Sequence, residues 1–509
     1  MDIDPDPAID RTLVMALQAH LQARCGAPIE LVETHISWVL LGPRLAWKLK
    51  KPVRLPFLDF STARARQAAC REELRLNRRL APTLYRAVVP VRGTPSAPCV
   101  GGAGASIDHL VLMRRFAPGA LLSEQLLAGT LEAAHLEQLA NRMAAFHAAA
   151  PVAQAGDPAG SPARVLKAVL DVLQQLESRP CAPSVATLRA WIGSQASALA
   201  TAWEARRRQG AVRECHGDLH LANCVRLGGE VTAFDCIEFD PALRWIDVMS
   251  DVAFLTMDLQ AHGRPDLAFR FLDAYLQAGG DHGGLGVWRF YSVYRALVRA
   301  LVHLLQPPGS APRRDYLACA LALARGSAPR LIVTCGVSGS GKSTVATQLL
   351  EALGAIRLRS DVERKRLFGL GAMQRSADLA LDIYTEQATR QTFDRLLALA
   401  AQALLAGFPV VVDAAFLRRK ERALFRALAG RQGVPFTIVH CHADHEVLVR
   451  RLHHRAVQGS DPSEATVDVL ERQLATQEPP DETERACTMS LSTEGQIDIE
   501  ALLAHLPAA

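Results

Sequence analysis

Apolar and polar positions alternate with two different periods along this chain, and the changes of period mark its organisation. Arg11 to Arg24 carries apolar side chains at helical spacing, and Ile36–Leu41 and Leu45–Leu49 read as two strands joined through Gly42-Pro43, a hairpin signal. A charged helix is predicted over Thr62–Leu80, closed by Pro82. Val88–Val91 and Leu110–Met113 read as further strands, and the Gly, Ser and Pro of the intervening TPSAPCVGGAGASID predict an exposed, mobile loop. From Leu121 to about Arg208, Ala and Leu recur at helical spacing, interrupted by AGDPAGSPA. A strand–loop–strand region is expected over Val212–Phe239, and helices resume to Leu305.

The run QPPGSAPRRD opens a connection, followed by one more helix at Tyr316–Ala324. After it, strand and helix alternate: a Val/Ile strand at Leu331–Thr334, a helix from Lys342, a strand at Ala355, a long helix Ala377–Ala406, a strand at Val410, a helix Arg418–Gly430 and a strand at Phe436. That order predicts a parallel sheet with crossover helices. The chain is therefore read as two parts, 1–326 and 327–509.

Composition changes this picture little. With 509 residues, 49% hydrophobic and 21% charged, the chain can bury several cores and is not wholly disordered. A net charge of +5 gives no ground for expecting a nucleic-acid partner, including end phosphorylation of a polynucleotide by the rear part. Eleven cysteines without a CxxC pair predict buried thiols in a reducing compartment, and the acidic start MDIDPDPAID lacks a basic-then-apolar leader. A cytoplasmic location is expected. Gln402 and then Gly407-Phe408-Pro409 break the apolar window Leu396–Val412, which falls short of the roughly 20 residues of a membrane-spanning helix.

In the rear part, Gly336-Val337-Ser338-Gly339-Ser340-Gly341-Lys342-Ser343 fits G-x-x-x-x-G-K-S, directly after a predicted strand and before a helix, with Thr344 next. Glycines let the backbone curl its N–H groups toward phosphate oxygens, and the helix N-terminus adds positive potential. Lys342 is expected on the β/γ-phosphates and Ser343 on Mg²⁺. Asp413, ending the strand Val410–Val412, is a second Mg²⁺ candidate, with a helix N-cap as the alternative. Asp361 in Arg359-Ser360-Asp361 is a candidate base, or a helix cap. Arg451 and Arg455 share a helix face and either close over the phosphate as a lid or form a solvated basic face. His440, His442, His445, His453 and His454 match no zinc spacing. GVSGSGKST, RSDVERKRL, VVVDAAFLRR and the Arg451/Arg455 helix resemble the small P-loop kinases of the gluconate kinase, shikimate kinase and zeta-toxin type. The resemblance implies phosphorylation of a small molecule with ATP and Mg²⁺.

The front part carries Glu214-Cys-His216-Gly-Asp218-Leu-His220-Leu-Ala-Asn223, followed by the strand Val231–Phe234 and Asp235. An Asp, an Asn five residues on and an Asp after the next strand suit phosphoryl transfer. Asp218 would accept the acceptor's hydroxyl proton, while Asn223 and Asp235 would hold Mg²⁺. His216 would fix the loop backbone, and Gly217 would permit its tight turn. Cys215, His216, His220, Cys224 and Cys236 offer a competing zinc reading, and a plain hairpin a third. Lys48 sits on the second strand of the early hairpin, where it can pair with ATP phosphates and a helix glutamate, Glu73 or else Glu72. The alternative is a solvated strand lysine beside Lys50 and Lys51. AWK, REELRLN, CHGDLHLANC, FDCIEFD and Asp251-Val-Ala-Phe-Leu together resemble the aminoglycoside phosphotransferase family. That resemblance implies a bilobal α+β protein-kinase-like fold with Asp251 bracing the loop, ahead of the α/β P-loop domain. No G-x-G-x-x-G precedes Lys48. The joined architecture resembles bacterial proteins that fuse such a domain to an ATP-binding P-loop domain. It implies a phosphotransferase for small hydroxylated molecules, with an ATP/Mg²⁺ site on each half, or else one catalytic and one regulatory half.

Overall fold

The computed structural model describes residues 11–55, 58–179, 181–305, 314–376, 382–458 and 461–507. They form two compact units: one gathers the described residues up to Arg142 with Phe146–Arg164 and Glu204–Leu255, the other Met143–Ala145, Val165–Trp203 and the described residues from Thr256 on.

The first unit is α+β. A helix α1 (Thr12–Cys25) precedes strands β1 (Glu30–Glu33), β2 (Ser37–Leu41) and β3 (Leu45–Lys50); helix α2 (Ala63–Asn77) precedes β4 (Tyr85–Thr94), β5 (Ala97–Val100) and β6 (Ser106–Arg114). The six strands form one antiparallel sheet in the order β1-β2-β3-β6-β4-β5. Strand alternation divides β3 between two cores. Trp47 and Leu49 join Val14, Leu17 and Leu21 of α1, while Ala46 faces the other way, with Cys70 of α2, Val111 and Met113. Lys48 and Lys50 have the parity of Ala46 and therefore project toward α2.

Two strands escaped the hydrophobic pattern here. Glu30–Glu33 is a polar edge strand, and the stretch expected to be an exposed loop instead contains β5, which pairs Val100 with Val91. Pro98 lies on that strand without cost to the ladder because β5 is a sheet edge, where a missing N–H goes unused. Beyond the sheet come β7 (Val212–Glu214), β8 (Cys224–Leu227), β9 (Glu230–Ala233), β10 (Trp245–Asp247) and helix α3 (Val248–Ala261). The antiparallel pairs β8–β9 and β7–β10 frame the segment from His216 to Asp235.

The second unit includes helices α4 (Pro265–Gly279) and α5 (Leu285–Leu305) together with an α/β sheet. Its strands are β11 (Leu331–Cys335), β12 (Ile356–Arg359), β13 (Val410–Asp413), β14 (Phe436–His442) and β15 (Thr488–Ser492). They are all parallel, in the order β12-β13-β11-β14-β15. Every residue of β11 and β13 is buried, as a parallel sheet covered on both faces requires. The helices between and after them are α6 (Lys342–Leu353), α7 (Ser360–Leu367), α8 (Glu386–Leu405), α9 (Arg419–Gln432), α10 (His445–Gln458) and α11 (Val467–Thr476). Strand order reverses at β11, so the turn after it lies at the crevice where α/β sheets bind ligands. The long helix expected from Ala377 begins at Glu386, capped by the Thr385 hydroxyl; residues 377–381, like 306–313 of the expected connection, lie outside the described residues. The rear sheet also has neighbours from upstream: Trp288 and Phe408 rings lie 5.5 Å apart, and Arg357 of β12 pairs with Asp273 of α4 at 2.6 Å. Among the described residues no helix is long and apolar enough to cross a membrane, and all eleven cysteines are free thiols.

Candidate active sites

In the first unit, residues separated by nearly two hundred positions converge. Lys48 Nζ lies 2.9 Å from Glu73 Oε1 and 2.5 Å from Asp235 Oδ1. Burial alone would pull the Lys48 ammonium down, but the Asp235 and Glu73 carboxylates override it and hold Lys48 well above the ordinary lysine range. Glu73, not Glu72, is the helix partner: Glu72 turns to Arg75 and Arg244, both at 2.7 Å.

The loop is fixed from several sides. Asp251, in the first turn of α3, accepts the N–H groups of His216 at 2.7 Å and Gly217 at 2.9 Å. Burial lowers the His216 pKa, so its neutral ring accepts the Asp218 N–H at Nδ1 and donates from Nε2 to the Phe234 carbonyl at 2.9 Å. Gly217 has φ +87, and a Cβ there would stand 2.8 Å from the Leu243 carbonyl oxygen. Asn223 Nδ2 donates to Asp218 Oδ2 at 2.9 Å, orienting that carboxylate. Asp235 occupies the left-handed region at φ 65, a strained conformation for a non-glycine residue. Its N–H donates to the Tyr85 hydroxyl at 3.3 Å, and the next N–H, of Cys236, to Asn77 Oδ1 at 2.9 Å.

The five residues of the zinc reading do not converge. Among the described residues the one His/Cys/carboxylate group close enough for a metal is His147, Cys215 and Asp251, and burial pushes the Cys236 thiol up to about 12. Asn223 and Asp235 are instead oxygen donors, of the kind a hard cation such as Mg²⁺ takes.

In the second unit the glycine turn joins β11 to α6. Gly336, Gly339 and Gly341 all have positive φ, and a Cβ on Gly336 would run into the Cys441 carbonyl. Arg451 donates to the Gly339 carbonyl at 3.2 Å and the Thr493 hydroxyl to the Ser340 carbonyl at 3.1 Å. A trans peptide points its N–H away from its C=O, so these bonds turn the Ser340 and Gly341 N–H groups from Arg451 and Thr493. The N–H groups of Gly339, Gly341, Lys342 and Ser343 find no acceptor among the described residues. Such a row at the start of a helix suits phosphate oxygens. Lys342 Nζ donates to the Val337 carbonyl at 2.7 Å; desolvation pulls this lysine below its ordinary pKa, and Asp413 is the largest opposing charge. Asp413 Oδ2 is buried and accepts no hydrogen bond among the described residues, with Arg359 Nε at 3.4 Å. That orphaned oxygen fits a divalent cation. The next helix is capped at Arg418, so Asp413 is not an N-cap.

Asp361 lies in the first turn of α7 rather than at its cap, and its charge acts on Lys342, Arg364 and Tyr384. Arg455 parts from Arg451: it donates to the Ala465 carbonyl at 3.0 Å and lines a cavity of about 360 Å³ with Arg375, Asp461 and Glu464.

Residues 53–291 match the model of the phosphotransferase enzyme family, and residues 331–480 match that of an AAA domain. The chain carries two kinase-related domains. An uncharacterized protein of Mycobacterium tuberculosis is 29% identical over 443 residues, 85% of this chain and 87% of that protein. A gluconokinase from Sinorhizobium meliloti is 26% identical over 33% of this chain and 86% of its own, with a TM-score of 0.25. A choline/ethanolamine kinase family protein from Mesorhizobium loti is 15% identical over 62% of this chain and 92% of its own, at TM-score 0.37.

Sequence reasoning missed several residues of these two domains. In the phosphotransferase-family domain they are Tyr85, Asn77, Lys50 and Glu238. Asn77 was within reach, one helical turn beyond Glu73, and so was Lys50, on the same strand face as Lys48. In the P-loop domain Thr493 and Gln473, whose Oε1 accepts the Ser338 N–H at 2.7 Å, carried no local signal.

Proposed function

We propose that the protein is an ATP-dependent phosphotransferase for small hydroxylated molecules, with a nucleotide site on each of two unrelated folds, working in the cytoplasm. The observation that carries this reading is the meeting of Lys48, Glu73 and Asp235 through ion pairs of 2.9 and 2.5 Å, beside an Asp218 oriented by Asn223. Asp218 takes the proton of the acceptor hydroxyl, and Asn223 keeps its carboxylate aimed. Lys48 neutralises nucleotide phosphates, held by Glu73. Asn223 and Asp235 would hold Mg²⁺ in this domain, and Ser343 with Asp413 in the other. The cation supplies charge neutralisation on the transferring phosphoryl group. In the P-loop domain, the N–H row and Lys342 bind phosphates. Asp361 stands as the base and Arg451 holds the cradle's shape.

The test uses the full chain, γ-labelled ATP and a panel of small alcohols, comparing parent protein with Asp218→Asn and Lys342→Ala. Acceptors lost in one variant and kept in the other assign each site; an unchanged rate in either variant rejects that site.

A further inference from the structure

The side chains of Lys50 and Glu73 are both 0% exposed. A buried lysine without a counter-charge is costly, and this one has two partners. Its Nζ lies 2.5 Å from Glu73 Oε2 and also pairs with Glu238. Glu73 is thus held through both oxygens, Oε1 by Lys48 and Oε2 by Lys50. The result is a continuous run of alternating charge: Asp235, Lys48, Glu73, Lys50, Glu238. Its two ends belong to one short segment, whose backbone is pinned by Tyr85, Asn77 and, through the Ile237 N–H, the His216 carbonyl at 3.1 Å.

The charges in this run explain why a second lysine is useful. Three carboxylates face two ammonium groups, an excess of one negative charge. When Asp235 is given to a divalent cation, the remaining four groups balance. When Lys48 turns toward phosphate, Glu73 would lose its only buried partner were Lys50 absent.

We propose that Lys50 and Glu238 are a positioning pair for the Mg²⁺–nucleotide site of the phosphotransferase-family domain. They hold Glu73 and the Asp235 segment in place while Lys48 and Asp235 are engaged by the ligand. This rests on the reading of Lys48 and Asp235 given above. The pair acts through Glu73 and the segment, so its effect is specific to the metal-bound nucleotide. A pair that merely stabilised the fold would change affinity for nucleotide with and without metal alike.

The experiment uses the full chain carrying Lys342→Ala, titrated with a fluorescent ATP analogue in Mg²⁺ and again in chelator, with thermal melting alongside. The double variant Lys50→Met/Glu238→Leu removes both charges together, which buried pairs tolerate far better than loss of one. It should stay folded and lose about tenfold in affinity for the Mg²⁺ complex, with under about twofold change in chelator. Glu238→Gln keeps the volume and should show the same selectivity at about threefold, and it is the variant read if the double one does not fold. Unchanged affinity, or an equal loss with and without Mg²⁺, overturns the proposal. Lys48→Met separates the two levels. If it abolishes binding while the positioning variants are silent, the site stands and the pair's role falls. If it too is silent, the site reading fails and takes the proposal with it.

Discussion

The two candidate sites are built from different parts of the polypeptide. In the phosphotransferase-family domain the candidate site consists of ionised side chains, Lys48, Glu73 and Asp235, brought together from a strand, a helix and a loop. In the P-loop domain it consists of backbone N–H groups within one continuous turn, with a single lysine beside them. The first arrangement is expensive to bury and must be balanced charge for charge. The second needs no balancing charges but needs glycine, because its close approaches leave no room for a Cβ. A site built from side chains should therefore fail by loss of charge, and one built from backbone by gain of volume.

The sharpest test of that contrast is Asp218→Asn, which should lower phosphoryl transfer in the first domain by about 10²–10⁴-fold while leaving nucleotide affinity there nearly unchanged. Steady-state rates with a titrated nucleotide probe check both halves. Lys342→Ala should weaken nucleotide binding in the second domain by about 10- to 100-fold, the worth of a charge-assisted hydrogen bond. Gly336→Ala should act there through shape: its methyl meets the Cys441 carbonyl, so about 1–3 kcal/mol of stability should go with the affinity, visible as a lowered melting temperature.

Alkaline pH should separate the domains next. Lys342 lies below its ordinary pKa through desolvation, so as pH rises it loses its proton early, and binding anionic phosphate then requires proton uptake. Lys48 is held well above that range by Asp235 and Glu73 and keeps its charge. Nucleotide affinity should thus decline at a lower pH in the P-loop domain than in the other, measured with each site disabled in turn; the reverse order would break the comparison. The smallest effect belongs to Glu72→Gln. Glu72 serves Arg75 and Arg244, so nucleotide affinity should hold within about twofold, and stability within about 1 kcal/mol.

Legibility from sequence follows the same division. The glycine turn is legible whole, because a backbone cradle is a local object whose residues are neighbours in the chain. Asp218, Asn223 and Asp235 were legible too, since the loop and its following pair of strands set their spacing. The sequence favours Glu73 as the partner of Lys48 with Glu72 as the alternative, and the structure bears out Glu73; one residue on a helix rotates a side chain by about 100°. Helical spacing groups Arg451 with Arg455, and the structure gives them different neighbours, the Gly339 and Ala465 carbonyls. β5 reads as a loop from sequence because Pro98 and the glycines just after the strand, Gly101, Gly102 and Gly104, have the composition of a turn.

The sequence by itself determined the two fold classes, since hydrophobic period and local motif spacing are short-range properties that each stretch carries alone. It also named the atoms that can donate to phosphate or accept a proton. Only the tertiary structure decided which charges share a buried space. Whether Lys50 meets water or Glu73 depends on how α2 lies across the sheet, and that is set by Ala46, Cys70, Val111 and Met113 packing together, not by the lysine or its neighbours in the chain. Electrostatic partnership depends on distance and burial, which exist only after the core has closed.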